Sequence, residues 1–261
     1  MKFFLTVMIT VVMSMSMSMS MSMSAVARDA APAGQGVLDL IPFALNDGKD
    51  MSDFMALRES FASTMEATGP IYYASVLTPL FVDSPATGIG ASFDAIWLGA
   101  SRSPNDFADA FQHYLKKGGE TEKTFSEVRT NVQRMMMAVE RVYRGVESND
   151  ETNVVMLSTC SPVGDADIPG IAAELRSVSK AMAEKGSTGS TFLWHNGIGI
   201  PNGLEGQYIH ARRFPSLAAW GSSMSLYRAG KFSGETQARQ KVLSCGAPRV
   251  YLSEPFYWPA D

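Results

Sequence analysis

The residues best suited to chemistry lie together in one short segment, EGQYIHARRF, at residues 205–214. If this segment is a strand, alternation places Tyr208, His210 and Arg212 on one face. A histidine can act as a general base near neutral pH, because its ordinary pKa is about 6.5. His210 is therefore the candidate catalytic base, although a structural histidine that makes one hydrogen bond fits the same pattern.

The other two histidines give weaker indications. His195 lies in FLWHNG, on a predicted strand whose facing the pattern does not settle. If it shares the face of His210, the two rings can meet across a hairpin and hold a metal or a haem iron, but no third ligand can be identified. His113 falls off the apolar face of its helix and is expected to be solvated. We therefore predict no metal and no cofactor.

Other kinds of site are excluded by motif and charge. The chain contains no GxSxG, no P-loop, no HExxH and no CxxCH, and its two cysteines, 85 positions apart, match no metal motif. The formal net charge is −4 without a basic stripe, so a nucleic-acid partner is not expected.

The N-terminus predicts export. Lys2 precedes an apolar run, and Ala25-Val26-Ala27 is a small-x-small cleavage site, so residues 1–27 are typical of a signal peptide. The Met-Ser alternation over 13–24 also fits a strand or a thioether metal tract, but it lies upstream of the cleavage site. Residues 28–36 then form a flexible leader. We expect a periplasmic or secreted protein that is not membrane-bound after cleavage.

The remaining chain repeats itself. FDAIWLGASRSPNDFADAFQHYLKKGGET, at 93–121, and EGQYIHARRFPSLAAWGSSMSLYRAGKFSGET, at 205–236, both predict a strand, an x-Pro step and an amphipathic helix that precedes Gly-Glu-Thr. Chance similarity is the alternative. Each half, 37–146 and 147–261, predicts the order β-α-β-β-α-β of a ferredoxin-like unit, so the fold class is α+β.

One segment carries a resemblance to a known superfamily. YIHARRFPSLAAWGSSMSLY, a strand followed directly by Phe-Pro and a Trp-bearing helix, resembles the dimeric α/β-barrel superfamily, including its antibiotic-biosynthesis-monooxygenase-like and stress-responsive members. The resemblance implies two ferredoxin-like units whose sheets together enclose a barrel. In this chain the barrel would be intramolecular, and the protein a monomer or a weak homodimer. Members include cofactor-free oxygenases, isomerases, haem-binding proteins and proteins without known activity.

Such a barrel gives each strand a helix-covered face and a barrel-facing face. We expect Ile209 and Ala211 to face the helices, which would direct Tyr208, His210 and Arg212 into the barrel. The repeat aligns Trp97 with Tyr208. A ligand-binding cavity lined by Trp97, Tyr208, Arg212 and His195 around His210 is therefore expected inside the barrel.

The same topology predicts a disulfide. The first and last strands of a ferredoxin-like unit are antiparallel neighbours, Cys160 ends the first strand of the second half, and Cys245 precedes its last strand. The two cysteines are therefore expected to pair in an exported protein. Two separate buried thiols are the alternative.

These expectations leave two functions open. The first is an exported protein that binds a small molecule in the barrel, as a cofactor-free oxygenase or isomerase, with a pocket touching Trp97, Tyr208 and His210. The second is a non-catalytic structural or interaction protein whose barrel is filled by side chains. Because no set of acid, base and nucleophile can be assembled, the sequence does not decide whether the protein is an enzyme.

Overall fold

The computed structural model describes residues 35–69, 71–82, 92–146 and 152–259. The predicted signal peptide and nearly all of the leader lie outside these residues. The strands of the first half are β1 (Gln35–Leu45), β2 (Tyr73–Phe81), β3 (Ala95–Ser101), β4 (Arg129–Asn131) and β5 (Met135–Tyr143). Its helices are α1 (Met51–Met55), α2 (Arg58–Met65), α3 (Pro104–Lys117) and α4 (Gly119–Val128).

The second half has a similar succession of elements. Its strands are β6 (Asn153–Pro162), β7 (Ser190–Ile198), β8 (Tyr208–Phe214), β9 (Leu243–Cys245) and β10 (Arg249–Tyr257). Its helices are α5 (Ile168–Glu184), α6 (Leu217–Arg228) and α7 (Ser233–Gln240). Short 3₁₀ turns occur at Glu66–Thr68 and Asn202–Leu204.

Side-chain caps fix where the main helices begin. The Asp50 carboxylate accepts hydrogen bonds from the backbone N–H groups of Ser52 and Asp53, while the Asp53 carboxylate accepts one from the Asp50 N–H. Ser103 caps α3 and Asp167 caps α5 in the same way. These contacts satisfy N–H groups that have no partner within a helix.

The strands close into one antiparallel barrel. Eight strands form a ring in the order β10-β2-β3-β1-β5-β7-β8-β6, and β6 pairs again with β10. The short strands β4 and β9 extend the sheet beside β1 and β6. Within residues 35–143 the long strands lie in the order β2-β3-β1-β5, and within 153–257 in the order β7-β8-β6-β10. Each half therefore places its first strand between its third and its fourth.

Apolar side chains fill the interior of the barrel. One or two buried residues from each of the eight strands pack together there: Leu38, Leu40, Leu77, Ile96, Met135, Met137, Val155, Trp194, Ala211 and Tyr251. Ile209 packs against the same cluster. Ile209 and Ala211 therefore face the barrel and not the helices, which corrects the facing expected from the sequence.

The outer face of the sheet is covered by helices, and the two halves differ there. The first-half layer is rich in aromatic residues, including Phe54, Phe61, Trp97 and Phe125. The last strand reaches into this layer, because β10 pairs with β2 as far as Tyr257 and carries Phe256 into the same cluster. The first-half layer is thus completed by residues from the end of the chain.

The predicted disulfide is present. Cys160 on β6 lies opposite Cys245 and is bonded to it. Cys245 is the last residue of the short strand β9, which pairs with the end of β6. The sequence did not predict this strand.

Among the described residues, no helix combines the length and the apolar character that crossing a membrane requires.

Candidate functional site

The residues predicted to meet in the barrel lie outside it. Tyr208 packs in the helix-covered cluster of the second half, and His210 and Arg212 share its face of β8. Trp97 also faces helices, but in the first half. The expected convergence of Trp97 with Tyr208 and His210 is therefore wrong. The physical reason is that apolar side chains from all eight strands fill the barrel interior, whereas under the helices Arg212 has a hydrogen-bond partner in Ser187.

His195 lies on the same helix-covered side as Tyr208. Their ring centroids are 6.4 Å apart, and His195 is buried. Neither of its ring nitrogens has a hydrogen-bond partner among the described residues. Burial lowers the pKa of His195, and the negative charge of Glu140 opposes this effect. His195 and Tyr208 are thus brought together, but they do not line the cavity described below.

His210 is placed where protonation is costly. It lies opposite Ser158 on β6 and Leu193 on β7, and it is buried. Burial, together with the positive charges of Arg239 and Arg212, lowers the pKa of His210 to about 3. An imidazole with so low a pKa is a weak base at neutral pH. This environment gives no support to a general-base role.

No group of three or more His, Cys, Asp or Glu side chains is arranged to hold a metal ion in the part of the chain that the structure describes.

The structure instead has a cavity in the first half, between the sheet and helices α2, α3 and α4. Its volume is about 410 Å³. Among the residues that the sequence predicted for a site, Trp97 lines this cavity. The walls are mainly aromatic and apolar, with several polar groups among them: Asp39, Ile41, Phe61, Met65, Tyr72, Trp97, Phe107, Ala110, Phe111, Tyr114, Leu115, Glu122, Phe125, Arg129, Asn131 and Arg134, with Gly118 and Gly119. Apolar walls that carry a few polar groups are typical of small-molecule sites.

A connected set of hydrogen bonds forms one side of this cavity. Arg134 donates to both oxygens of Asp39, from Nε at 2.9 Å and from Nη2 at 2.8 Å. The Tyr72 hydroxyl donates to Asp39 Oδ2 at 3.3 Å and accepts from Trp97 Nε1 at 2.9 Å. Asp39 is only 2% exposed, so these bonds replace its hydration. The network holds the Tyr72 and Trp97 rings in fixed positions.

Gly99 makes the position of Tyr72 possible. It lies opposite Asp39 on the neighbouring strand, and a Cβ at this position would be 2.0 Å from the Tyr72 hydroxyl oxygen. The Tyr72 side chain therefore occupies space that any other residue at position 99 would take. The sequence repeat aligns Gly99 with His210, so the second half has a large side chain where the first half has none.

Arg129 supplies a buried positive charge to the cavity wall. Its guanidinium carbon lies 4.8–5.5 Å from the ring centroids of Phe43, Phe54, Trp97 and Phe125. The residue is 7% exposed, and its Nη1 has no hydrogen-bond partner among the described residues. Burial lowers the pKa of Arg129 to about 10, an effect that the negative charge of Glu122 opposes. The group remains a cation at neutral pH and can donate to a bound anion.

The two phenols of the cavity are held protonated. Burial, followed by the charge of Asp39, raises the pKa of Tyr72. Burial also raises the pKa of Tyr114, whose hydroxyl donates to Glu122 Oε2 at 2.8 Å. Arg134, half exposed, stacks over Phe111 at 4.3 Å at the edge of the cavity. The phenolic donors are thus engaged by Asp39 and Glu122, and Arg129 contributes a buried positive charge to the wall of the cavity.

Sequence reasoning did not identify Asp39, Tyr72, Arg129 or Arg134. One signal was present: Asp39 is the single charge in the apolar strand GVLDLIPFAL, and a charge at the centre of a strand buried on both faces requires a partner. The partner, Arg134, is 95 positions away, so only the fold reveals it.

Comparison with known proteins concerns the fold. No protein-family model matches the sequence, and a search of curated proteins finds no relative. Many solved structures are similar, among them two that are described as monooxygenases. A proposed monooxygenase from Lactobacillus acidophilus NCFM has a TM-score of 0.53 and 10% identity, covering 87% of this chain and 96% of that one. A second, from Fusobacterium nucleatum, has a TM-score of 0.52 and 10% identity, covering 87% and 94%.

At this identity the similarity shows the fold alone. The chain has an α+β fold with a closed eight-stranded barrel, and it shares this fold with the two similar structures.

The first prediction concerns pH. A histidine in an unfolded chain has a pKa of about 6.5, whereas that of His210 is about 3, so below pH 6.5 the unfolded state binds more protons. The stability that the neutral ring contributes is present above pH 6.5 and is lost as the pH falls towards 3. The free energy of unfolding of the wild type should fall by up to about 1.4 kcal/mol per pH unit more steeply than that of His210→Gln. Urea unfolding at pH 4–7 measures this. An equal change of slope in His113→Gln would contradict the assignment.

The second prediction concerns Gly99. A methyl group at this position displaces Tyr72 and breaks its bonds to Asp39 and Trp97, so Gly99→Ala should destabilise the protein by about 1–3 kcal/mol. Gly221→Ala is the control, because nothing lies within 4 Å of a Cβ there. In a Tyr72→Ala background, adding Gly99→Ala should cost much less. Denaturant unfolding of the wild type, the two single variants and the double variant measures these costs. If Gly99→Ala costs the same with and without Tyr72, this account is contradicted.

Proposed function

We propose that the protein binds a small, flat organic molecule with an acidic oxygen, in the first-half cavity. The carrying observation is Arg129, a buried cation that four aromatic rings surround on the wall of a 410 Å³ cavity. Aromatic walls favour planar ligands through stacking. A carboxylate, phenolate or enolate oxygen would accept from the guanidinium and replace the hydration that burial removed.

We further propose that the bound molecule reacts as in a cofactor-free oxygenase or an isomerase. Both reactions begin when a base removes a proton from an acidic C–H or O–H group, leaving an enolate or phenolate. Arg129 would stabilise that negative charge, since a fixed cation in a dry site costs no reorganisation during the reaction. Asp39 is the carboxylate on the same cavity wall that would receive this proton, at Oδ2, in place of its 3.3 Å hydrogen bond from Tyr72. An isomerase returns the proton to another atom of the ligand, whereas in an oxygenase the carbanion reduces dioxygen, forms a C–O bond with it and takes the proton back as a hydroperoxide.

A non-catalytic function has one observation in its favour. The barrel interior is filled by side chains, as expected for a structural or interaction protein. In that case the first-half cavity would hold a ligand without changing it. Two measurements separate binding from turnover. One is the incorporation of deuterium from D₂O into a bound enolisable ketone, and the other is oxygen consumption with a bound naphthol.

The experiment for the binding proposal is calorimetry with 2-naphthoate and its neutral analogue 2-naphthamide. We expect the carboxylate to bind about 10- to 100-fold more tightly, because a hydrogen bond to a buried charge is worth about 1.5–3 kcal/mol. Arg129→Met should remove this difference while the chain stays folded, since replacing a buried charge by an apolar group of similar volume is often neutral.

Arg102→Met is the matched control, because Arg102 is exposed and bonded to Tyr73 in the same half of the chain. The proposal fails if neither probe binds, or if Arg129→Met retains the preference for the carboxylate.

We also propose that the chain is exported and that it consists of two tandem ferredoxin-like units, 37–146 and 147–261, that form the barrel within one monomer. The Cys160–Cys245 disulfide supports export, because such bonds persist in oxidising compartments. The repeated strand order supports the tandem units. Intact-mass measurement of the exported protein should give a chain that begins at Arg28 and weighs two hydrogens less than the reduced formula. A reduced chain that retains residues 1–27 would refute export.

A further inference from the structure

A second cavity lies on the surface of the second half, between the end of α6 and one face of α7. Its volume is about 370 Å³, within the range of about 300–1,000 Å³ that is typical of small-molecule sites. The cavity, which we call the α6–α7 cleft, is lined by Tyr227, Phe232, Ser233, Thr236, Gln237 and Gln240. It shares no lining residue with the first-half cavity, so binding there is independent of the ligand proposed above.

One face of α7 is polar but uncharged, and it forms a wall of the cleft. Four residues at the spacing i, i+3, i+4 and i+7 make up this face: Ser233, Thr236, Gln237 and Gln240. Hydroxyl and amide groups can both donate and accept hydrogen bonds. None of the described residues that line the cleft carries a charge, so the wall is suited to a neutral, polar ligand.

The charged residues of α7 lie on the other side of the helix. Glu235 is buried and paired with Lys185, and Arg239 is half-buried. The solvated face of a helix normally carries its charged residues, so α7 has the reverse of the usual arrangement. The charges of this helix therefore contribute to folding, and its uncharged face is left for contact with a ligand.

Hydrogen bonds fix the turn that joins α6 to α7. Lys185 Nζ donates to the backbone oxygen of Lys231 at 3.0 Å, and Ser233 Oγ donates to that of Gly230 at 2.7 Å. Phe232, within this turn, is 1% exposed and lines the cleft, so it anchors the turn to the interior. The cleft is therefore formed before any ligand binds.

The side chains at the cleft are accessible to a ligand. Gln237 and Gln240 are exposed, and neither amide is hydrogen-bonded to another described residue. Tyr227 lines the cleft and is 52% exposed. An aromatic ring beside hydrogen-bonding groups matches the two surfaces of a sugar ring. The C–H groups of the sugar pack on the negative face of the aromatic ring, and its hydroxyls donate to and accept from the amides.

The sequence repeat aligns the cleft with the first-half cavity. When the two halves are aligned on their shared Gly-Glu-Thr segments, Glu122 corresponds to Gln237 and Phe125 corresponds to Gln240. All four residues line the cavity of their own half. Where the first-half cavity has a carboxylate and an aromatic ring, the cleft has two neutral amides. The two cavities are therefore suited to different classes of ligand.

We propose that the α6–α7 cleft binds a neutral sugar, with one pyranose ring packed on Tyr227 and its hydroxyls bonded to Gln237 and Gln240. A charged sugar is disfavoured, because no lining residue supplies a counter-charge. An apolar ligand is disfavoured, because it would leave the amides and hydroxyls without hydrogen bonds. A free monosaccharide and one unit of a glycan present the same ring to the cleft, and the experiment distinguishes these sources.

The test is saturation-transfer NMR, which detects weak binding, with the methyl pyranosides of glucose, galactose, mannose and N-acetylglucosamine. We expect saturable binding of at least one of them to the wild type. Gln237→Ala should weaken it about three- to tenfold, the value of one hydrogen bond, and Tyr227→Ala should weaken it further. Gln112→Ala, an exposed glutamine on α3 that lines neither cavity, is the matched control and should retain the wild-type affinity.

The same measurement with disaccharides of the bound sugar identifies its source. Tighter binding of a disaccharide indicates a glycan, and equal binding indicates a free sugar. Tyr227 and Gln237 are both exposed, so the two variants should fold, and an unchanged Tm checks this.

Three results would overturn the proposal. The first is that none of the four pyranosides binds the wild type saturably. The second is that Tyr227→Ala and Gln237→Ala both retain the affinity of the wild type. The third is that an excess of 2-naphthoate displaces the sugar, which would place the sugar in the first-half cavity. Because the two cavities share no residue, failure of this proposal leaves the aromatic-acid proposal to its own test.

Discussion

Every long strand of this protein is buried on both faces, because the sheet closes on itself and helices cover its outside. This constraint decides where polar side chains can lie. The interior is lined by residues from all eight strands and leaves no room for unpaired charges, so polar groups of the strands collect under the helices. There they are either bonded to one another, as Asp39 is to Arg134, or left with unused donors, as Arg129 and Arg212 are.

The two outer layers share a strand order but differ in chemistry. In the first half, Gly99 leaves space that Tyr72 occupies, and aromatic rings surround a cavity. In the second half, the aligned position carries His210, and buried hydroxyl, imidazole and guanidinium groups lie beside an apolar cluster that includes Ile171, Leu175 and Leu193. The first half therefore has a cavity in its helix-covered layer, where the second half carries a larger side chain at the aligned position. The difference depends on few positions, and Gly99 is the clearest of them.

Much of the architecture can be predicted from the sequence, because it depends on local chemistry. Asp50, Ser103 and Asp167 mark helix starts through their side-chain oxygens, and the predicted cysteine pair is bonded. The facing of β8 could not be predicted in the same way. Alternation shows that Tyr208 and His210 share a face of the strand. When both faces are buried, however, alternation does not show which face points into the barrel and which towards the helices. The cavity was missed because its polar groups come from distant segments, such as Asp39 and Arg134.

The last strand, β10, sets the point during synthesis at which the barrel can close. Phe256 lies 4.9 Å from Trp97, ring centroid to ring centroid, so the aromatic layer around a first-half cavity includes a residue from near the C-terminal end. During synthesis, the segments that carry Asp39, Tyr72 and Arg129 leave the ribosome long before this strand does. The barrel cannot close, and the aromatic layer cannot be complete, until β10 has been added between β2 and β6. A chain interrupted before β10 therefore has most of the cavity-lining residues but lacks the strand that closes the barrel.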